Sequence, residues 1–241
     1  MPDDEALTRR LAELEAELGH LAYAISHDLR APLRAVSGFA QALLEDHAPH
    51  LDASGQDYTR RVVAAAKRMD GMIEALLQYS RLARAEITLA PVALDAAAGE
   101  AVKKRGEAIA TARAEVTVEA PMPSVVAHRA TLTDAIGHLV DNAVKFVDGS
   151  RPPVVRLRAE ARGERVRLFV EDNGIGIAAS NLDKIFGVFE RLHKPDQYPG
   201  PGIGLALARR AAARMGGEAG VESELGVGSR FWIELDSRRQ T

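Results

Sequence analysis

Val166-Arg167-Leu168-Phe169-Val170-Glu171-Asp172-Asn173-Gly174-Ile175-Gly176-Ile177 begins as a β-rich run and ends in a glycine turn. Valine, leucine and phenylalanine in close succession favour a strand, and the Asn-Gly pair stops it. Asp172 therefore emerges at the carboxyl end of the strand, where two glycines let a flat ring approach the backbone. Further β-rich runs lie at Val116-Thr117-Val118, Val154-Val155-Arg156-Leu157 and Phe231-Trp232-Ile233-Glu234-Leu235. Helical stretches fill about 95–112, 129–147 and 204–215 between them. Strands and helices mixed over residues 89–241 predict one α+β domain.

Upstream of this domain the periodicity is helical. Leu7, Leu11, Leu14, Leu18, Leu21 and Ile25 alternate spacings of four and three, a heptad seam flanked by Arg9, Arg10, Glu13, Glu15 and Glu17. So narrow a stripe predicts a parallel coiled-coil lead-in. The pattern runs on through Leu29, Leu33, Val36, Phe39 and Leu43 and stops near Asp46-His47-Ala48-Pro49, with Asp52-Ala53-Ser54-Gly55 read as a connection. A second helix shows the same rhythm at Val62, Ala66, Met69, Ile73 and Leu76 and ends near Arg84. Both helices carry apolar residues beyond a single stripe, including Leu44, Val63 and Leu77. A hairpin over residues 1–88 therefore predicts a homodimer, two copies closing a four-helix bundle.

Composition narrows the function classes. The 241 residues are 46% hydrophobic and 27% charged, an ordinary globular balance, and they include no cysteine. Disulfide scaffolds, thiolate metal sites and cysteine nucleophiles are excluded, and a metal would need oxygen or imidazole ligands. A net charge of -3 offers no field for a phosphate backbone, so no nucleic acid partner is expected. No run approaches the roughly 18 apolar residues of a membrane span, and Met1-Pro2-Asp3-Asp4-Glu5 is opposite in charge to a signal peptide. The expectation is a cytoplasmic fragment without a membrane segment of its own.

The chemistry-bearing features come in a fixed order. Ser26-His27-Asp28-Leu29-Arg30-Ala31-Pro32-Leu33 sets His27 two residues past the seam residue Ile25, so on a helix it faces away from the seam, into water. Pro32 removes the helical bond to the Asp28 carbonyl and predicts a bend there. An exposed imidazole beside a carboxylate can act as a nucleophile, with Asp28 holding one ring proton while the other nitrogen attacks. On the helix at 129–147, Asn142 and Lys145 share a face, an amide oxygen for a hard cation and an ammonium for the phosphates it bridges. Gly200-Pro201-Gly202-Ile203-Gly204 introduces the helix at 204–215 and offers backbone amides to an anion. Ile185-Phe186-Gly187-Val188-Phe189, followed by Arg191-Leu192-His193-Lys194-Pro195, combines an aromatic anchor with a basic loop, and Gly226-Val227-Gly228-Ser229 opens the last strand. Singly, each has an ordinary structural reading: a solvated pair, a polar helix face, a turn.

In this order the features resemble the H, N, G1, F, G2 and G3 boxes of sensor histidine kinases, over nearly the whole chain. The wording around Ala35-Val36-Ser37-Gly38-Phe39, Glu190-Arg191-Leu192-His193 and Tyr198-Pro199-Gly200 is most similar to phytochrome-related and PAS-linked soluble members. The resemblance implies a transmitter core: a helical hairpin forming a dimeric four-helix bundle, then an α+β sandwich ATP-binding domain of the kind shared with gyrase. It implies that His27 is phosphorylated, with Asp28 as its acid/base neighbour. It implies that Asn142 ligates Mg²⁺, that Lys145 contacts phosphates, and that Asp172 accepts from the adenine amino group. Gly174 and Gly176 would shape the adenine slot, Gly202 and Gly204 would line the phosphates under a lid at roughly 186–203, and Ser229 stands where threonine is frequent near adenine. His138 replaces a common asparagine and receives no ligand role. The implied partners are a second copy and a response-regulator receiver domain, with a sensor domain absent from this chain. The alternative is a degenerate scaffold that binds ATP and relays conformation without phosphotransfer; a gyrase-like ATPase ranks third.

Overall fold

The protein is described here by a computed structural model covering residues 2–149, 151–193, 197–198 and 200–237. The side chains of residues 2–9 and 11–22 fall outside that description, and with them the seam residues Leu7, Leu11, Leu14, Leu18 and Leu21. So do Lys194, Pro195 and Pro199. The chain divides into two compact units, residues 1–85 and 86–241.

The first unit is a hairpin of α1 (Pro2–Asp46) and α2 (Ala53–Arg84), joined through a 3₁₀ turn at Ala48–His50. Pro32 sits inside α1 without ending it. The expected connection at 52–55 is instead the start of α2: the Asp52 carboxylate accepts from Gly55 N at 2.6 Å and caps the helix. A short acceptor side chain ahead of three helical residues is a cap signal, worth about 1 kcal/mol. The two helices hold together through Leu33 of α1 against Ala66, Ile73 and Leu77 of α2. Beside this cluster Arg30 pairs with Glu74 at 2.7 Å and with Asp70 at 3.8 Å.

Of the pattern continued along α1, only Leu33 turns into the hairpin. Ser26, Leu33 and Ala40 are buried, whereas Ile25, Leu29, Val36, Phe39 and Leu43 are exposed, Phe39 at 74%. On α2, Tyr58, Val62, Met69 and Met72 are exposed as well. The hairpin uses one heptad position for its own contact and leaves the broader apolar stripe on both helices open.

The second unit layers helices on one face of a mixed five-stranded sheet. Its strands are β1 (Ala90–Ala93), β2 (Glu115–Val118), β3 (Ser124–Ala127), β4 (Val154–Arg162), β5 (Arg165–Asp172), β6 (Glu218–Glu224) and β7 (Gly228–Asp236). The sheet order is β2-β4-β5-β7-β6, parallel only between β2 and β4, and β1 pairs with β3 as a separate two-stranded ribbon. The helices are α3 (Leu94–Lys104), α4 (Gly106–Ala112), α5 (Arg129–Lys145) and α6 (Gly204–Arg214). Val166, Leu168 and Val170 of β5 alternate with Arg165, Arg167, Phe169 and Glu171 and pack inward with Phe231, Ile233 and Leu235 of β7 and with Leu132, Ile136 and Leu139 of α5. On the other face Phe169 and Trp232 are cross-strand partners. Arg158 lies over Phe169 at 4.5 Å and Arg167 over Trp232 at 3.8 Å. Each arginine is also paired with a glutamate, Arg158 with Glu171 and Arg167 with Glu234, both at 2.7 Å.

The helix read as continuous over 95–112 breaks at Arg105. That residue's guanidinium lies over Gly137 of α5, close enough that a Cβ there would meet it at 2.0 Å, and its Nε reaches Asp141 at 3.4 Å. Anchoring Arg105 on a neighbouring helix redirects the chain, and Gly106 follows as the first residue of α4.

Candidate functional site

His27 lies on the solvent side of α1, its side chain 78% exposed, with Nδ1 at 3.1 Å from Asp28 Oδ1. Ser26, its neighbour, is buried against the hairpin, so the helical turn that hides Ser26 presents His27. With Nδ1 engaged by the carboxylate as an N–H donor, Nε2 carries the lone pair and is the atom able to attack an electrophile.

The second unit contains a cleft open to solvent, with about 690 Å³ of empty space once its open mouth is counted. It gathers Asn142 and Lys145 from α5, Asp172 from the end of β5, Gly176 from the turn that follows, Gly202 from the loop before α6, and Ser229 from β7. Gly174 and Gly204 do not line it. Gly174 instead donates its N–H to Asp172 Oδ1 at 2.8 Å and lies so close to the Phe146 carbonyl that a Cβ would meet it at 2.3 Å. Gly204 opens α6, packed beside the His138 ring. Both act from behind the wall.

Both glycines that line the cleft have positive φ and leave no room for a Cβ. Gly176 has φ +69°, and a Cβ on it would meet the Glu224 carbonyl oxygen at 1.9 Å, so the turn after Asp172 closes directly onto β6. Gly202 has φ +75°, and a Cβ on it would lie 2.8 Å from Arg191 Cγ and 3.0 Å from the Glu190 carbonyl oxygen.

The floor of the cleft is charged in a defined way. Burial pushes the Asp172 carboxyl up to about 6, against the opposing effect of N–H bonds from Gly174 and Ser229. Ser229 N reaches Asp172 Oδ1 at 3.2 Å, so both backbone donors fall on one oxygen and leave Oδ2 for a ligand. Lys145 is held below the usual lysine range, first by burial and then by the nearby Arg191 cation. Two positive groups thus stand together in the cleft, which favours a polyanion.

The sequence placed Arg191 in a basic loop and Tyr198 in a family-like stretch but gave neither a contact. Tyr198 is buried, donates its hydroxyl to the Val147 carbonyl at 3.0 Å, and contacts the Phe146 ring at 4.9 Å and the His193 ring at 5.2 Å between centroids. Arg191 donates to the Tyr198 carbonyl at 2.7 Å and to the Gly200 carbonyl. Ile175, Ile177, Ile185, Leu205 and Phe231 supply the apolar wall. The apolar residues near each glycine turn were the available signal, but nothing in their spacing separates a cleft wall from a core.

Two family descriptions match this chain in order. Residues 17–84 match the "His Kinase A (phospho-acceptor) domain", and residues 127–239 match the "Histidine kinase-, DNA gyrase B-, and HSP90-like ATPase". The chain is 30% identical over 230 residues to cyanobacterial phytochrome B of Nostoc sp., covering 95% of this chain and 31% of that protein. It is 31% identical over 235 residues to the sensor-like histidine kinase SenX3 of Mycobacterium tuberculosis, covering 93% of this chain and 55% of that one. The chain thus spans about a third of the phytochrome and about half of SenX3. Among solved structures, full-length ShkA in complex with AMPPNP superposes with a TM-score of 0.64 at 30% identity, over 90% of this chain and 45% of that chain. The Acinetobacter baumannii histidine kinase AdeS has a TM-score of 0.62 at 19% identity over 88% of this chain and 98% of that chain, a likeness of fold. With a phospho-acceptor hairpin and an ATPase-type domain in this order, the chain belongs to the sensor histidine kinases and comprises their transmitter core.

Proposed function

We propose that this chain phosphorylates His27 from ATP and passes the phosphoryl group to an aspartate of a response-regulator receiver domain. The observation that carries the reading is the convergence in one cleft of Asn142, Lys145, Asp172, Gly176, Gly202 and Ser229 from five separate segments. An exposed His27–Asp28 pair on the hairpin completes the parts. His27 Nε2 forms a bond to the γ-phosphorus, the bond to the ADP oxygen breaks, and Asp28 stabilises the charge on the ring through Nδ1–H. Asp172 reads the adenine amino group, and Lys145 with the amides around Gly202 meets the phosphates. Radiolabel from γ-labelled ATP that is acid-labile and alkali-stable on the purified chain is the expected result; none at all would leave only the nucleotide-binding scaffold.

Mg²⁺ fits the cleft as an ion carried in on the phosphates. Among the described residues no cluster of three acidic or histidine side chains converges to hold a metal, while the single Asn142 carboxamide is a hard oxygen donor of the kind an ion already bound to phosphates and water accepts. When bound, the ion neutralises charge on the transferring group.

Residues 1–88 form the dimerisation and phosphotransfer domain of this proposal and residues 89–241 the ATP-binding domain. The open stripe of Ile25, Leu29, Val36, Phe39, Tyr58, Val62 and Met69 is apolar surface for a second copy. Light scattering at micromolar concentration is expected to give twice the chain mass for residues 1–88 and the monomer mass for residues 89–241. Among the described residues no helix is long and apolar enough to cross a membrane, and we place the reaction in the cytoplasm, where ATP and receiver domains meet.

One observation favours the scaffold reading. Pro201 stands between Gly200 (φ +133°) and Gly202 (φ +75°) in the loop before α6, and proline lacks the N–H that a phosphate cradle uses. Restoring one donor to a charged acceptor is worth roughly 1.5–3 kcal/mol. Pro201→Thr is therefore expected to bind ATP about tenfold more tightly with unchanged adenine selectivity. Equal affinity in isothermal titration would show that the amide at this position points away from the nucleotide.

A further inference from the structure

Asp172, Ser229 and Ser223 form a row across three adjacent strands. Asp172 is the register partner of Ser229 on β7, and Ser229 is the partner of Ser223 on β6, so the three side chains share the face of the sheet that floors the cleft. Ser223 had no place among the expected site residues, yet its hydroxyl joins three others. Ile177 N donates to Ser223 Oγ at 2.9 Å, Ser223 Oγ donates to the Gly228 carbonyl at 2.9 Å, and Ser223 Oγ lies 2.9 Å from Ser229 Oγ.

Counting hydrogens fixes the direction of the last contact. A hydroxyl has one hydrogen and two lone pairs. The Gly228 carbonyl can only accept, so it takes the Ser223 hydrogen; the Ile177 N–H can only donate, so it takes one Ser223 lone pair. The lone pair that remains faces Ser229, which must turn its own hydrogen towards Ser223. Ser229 is then left with lone pairs alone for the cleft, beside Asp172 Oδ2, which also accepts.

We propose that Ser223 is a positioning residue that holds the Ser229 hydroxyl as a pure acceptor, so that Asp172 and Ser229 together select a purine bearing a 6-amino group over one bearing a 6-oxo group. The inference rests on the reading of the Asp172 corner as the base site and adds to it the origin of base selectivity. A 6-amino group, or a water bridging to the ring, brings hydrogens to both acceptors. A 6-oxo group turns lone pairs towards lone pairs. If Ser223 loses its hydroxyl, the Ser229 hydrogen is free to swing into the cleft and satisfy the oxo group.

The test compares dissociation constants of the full chain for ATP and inosine triphosphate. The wild-type chain is expected to prefer ATP, and Ser223→Ala to lower the ATP-over-ITP ratio by about tenfold, chiefly through tighter ITP binding. Ser223→Thr keeps the hydroxyl and is expected to keep the ratio. In a Ser229→Ala background, Ser223→Ala is expected to change the ratio no further, because the hydroxyl it acts through is gone. An equal loss of affinity for both nucleotides in Ser223→Ala, or the same ratio change without Ser229, overturns the inference and leaves Ser223 a support for the β6–β7 hairpin. Should Ser223→Ala not fold, Ser223→Gly, which also lacks the hydroxyl, takes its place under the same outcomes, and an unchanged ratio in Ser229→Ala overturns the proposal in either case. A wild-type chain that binds neither nucleotide removes the base-site reading and this inference with it, whereas normal ATP binding with an unmoved ratio removes the inference only.

Discussion

Asp172→Asn is expected to weaken nucleotide binding by about a hundredfold and to make the second unit more stable. The carboxyl is pushed up to about 6 by burial, well above its ordinary value near 3.8. In the folded state it therefore holds a proton that the unfolded chain has already released between those two pH values. Its contribution to stability is greatest below about pH 4 and is lost as pH rises through about 6, which leaves a cost of roughly 3 kcal/mol at neutral pH. Asparagine is neutral, and its amide oxygen can still accept from Gly174 and Ser229 N–H, so the cost disappears with the bonding intact. A rise in melting temperature of about 5 °C at neutral pH is expected for residues 89–241. The amide nitrogen, however, now faces the ligand with hydrogens where an adenine amino group also brings hydrogens. Loss of a charge-assisted bond together with that clash is expected to weaken ATP binding by about a hundredfold. Below about pH 6 the wild-type site protonates and its affinity falls towards that of the variant, whereas the variant shows no such step. Normal ATP binding by Asp172→Asn would show that the base lies elsewhere.

His27→Gln is expected to abolish the phosphoryl label completely while leaving ATP affinity unchanged within twofold. Glutamine keeps a polar side chain on the exposed face of α1 and places no new volume in a packed region, since His27 is 78% exposed. It has no nitrogen lone pair available for attack, because an amide nitrogen is delocalised into its carbonyl. The nucleotide cleft is lined wholly by residues of the second unit. Residual acid-labile label on the variant, measured beside an unimpaired ATP titration, would move the acceptor to another of the chain's histidines. Mixing His27→Gln with Asp172→Asn also tests the dimer: label returns only if one protomer can serve the other.

What was legible in the sequence follows from how strongly local chemistry constrains the backbone. The α2 end at Arg84 follows from apolar periodicity, and β5 from the β-rich run Val166 to Val170, whose Val166, Leu168 and Val170 turn inward. β1, β3 and β6 are weakly written. Ala90-Pro91-Val92-Ala93 contains a proline tolerated only in edge pairing, and Glu218-Ala219-Gly220-Val221-Glu222-Ser223-Glu224 is glutamate-rich with a glycine in the middle. Those residues become strands because neighbours impose it: Gly220 pairs with Trp232, whose ring would meet a Cβ on Gly220 at 2.3 Å. The site divides in the same way. Asp172, Asn142 and Lys145 carry their chemistry in the residue type and its place on an element. Tyr198 and Arg191 act through contacts to Val147 and Gly200, carbonyls with no signature in the sequence. Ser223 matters through its register opposite Ser229, which exists only once the strands pair.

Trp232 is the sole tryptophan of the chain, and it lies on β7, three residues beyond Ser229, with the Arg167 guanidinium stacked on its ring. The molecule therefore contains a natural optical label for one half of itself. Tryptophan emission on denaturation reads the loss of the ATPase sheet and is blind to the hairpin, while the far-ultraviolet helical signal is weighted towards α1 and α2. Following both in one titration resolves the two units without cutting the chain, and a cation stacked on the indole gives the folded state an emission that changes as soon as β5 and β7 part.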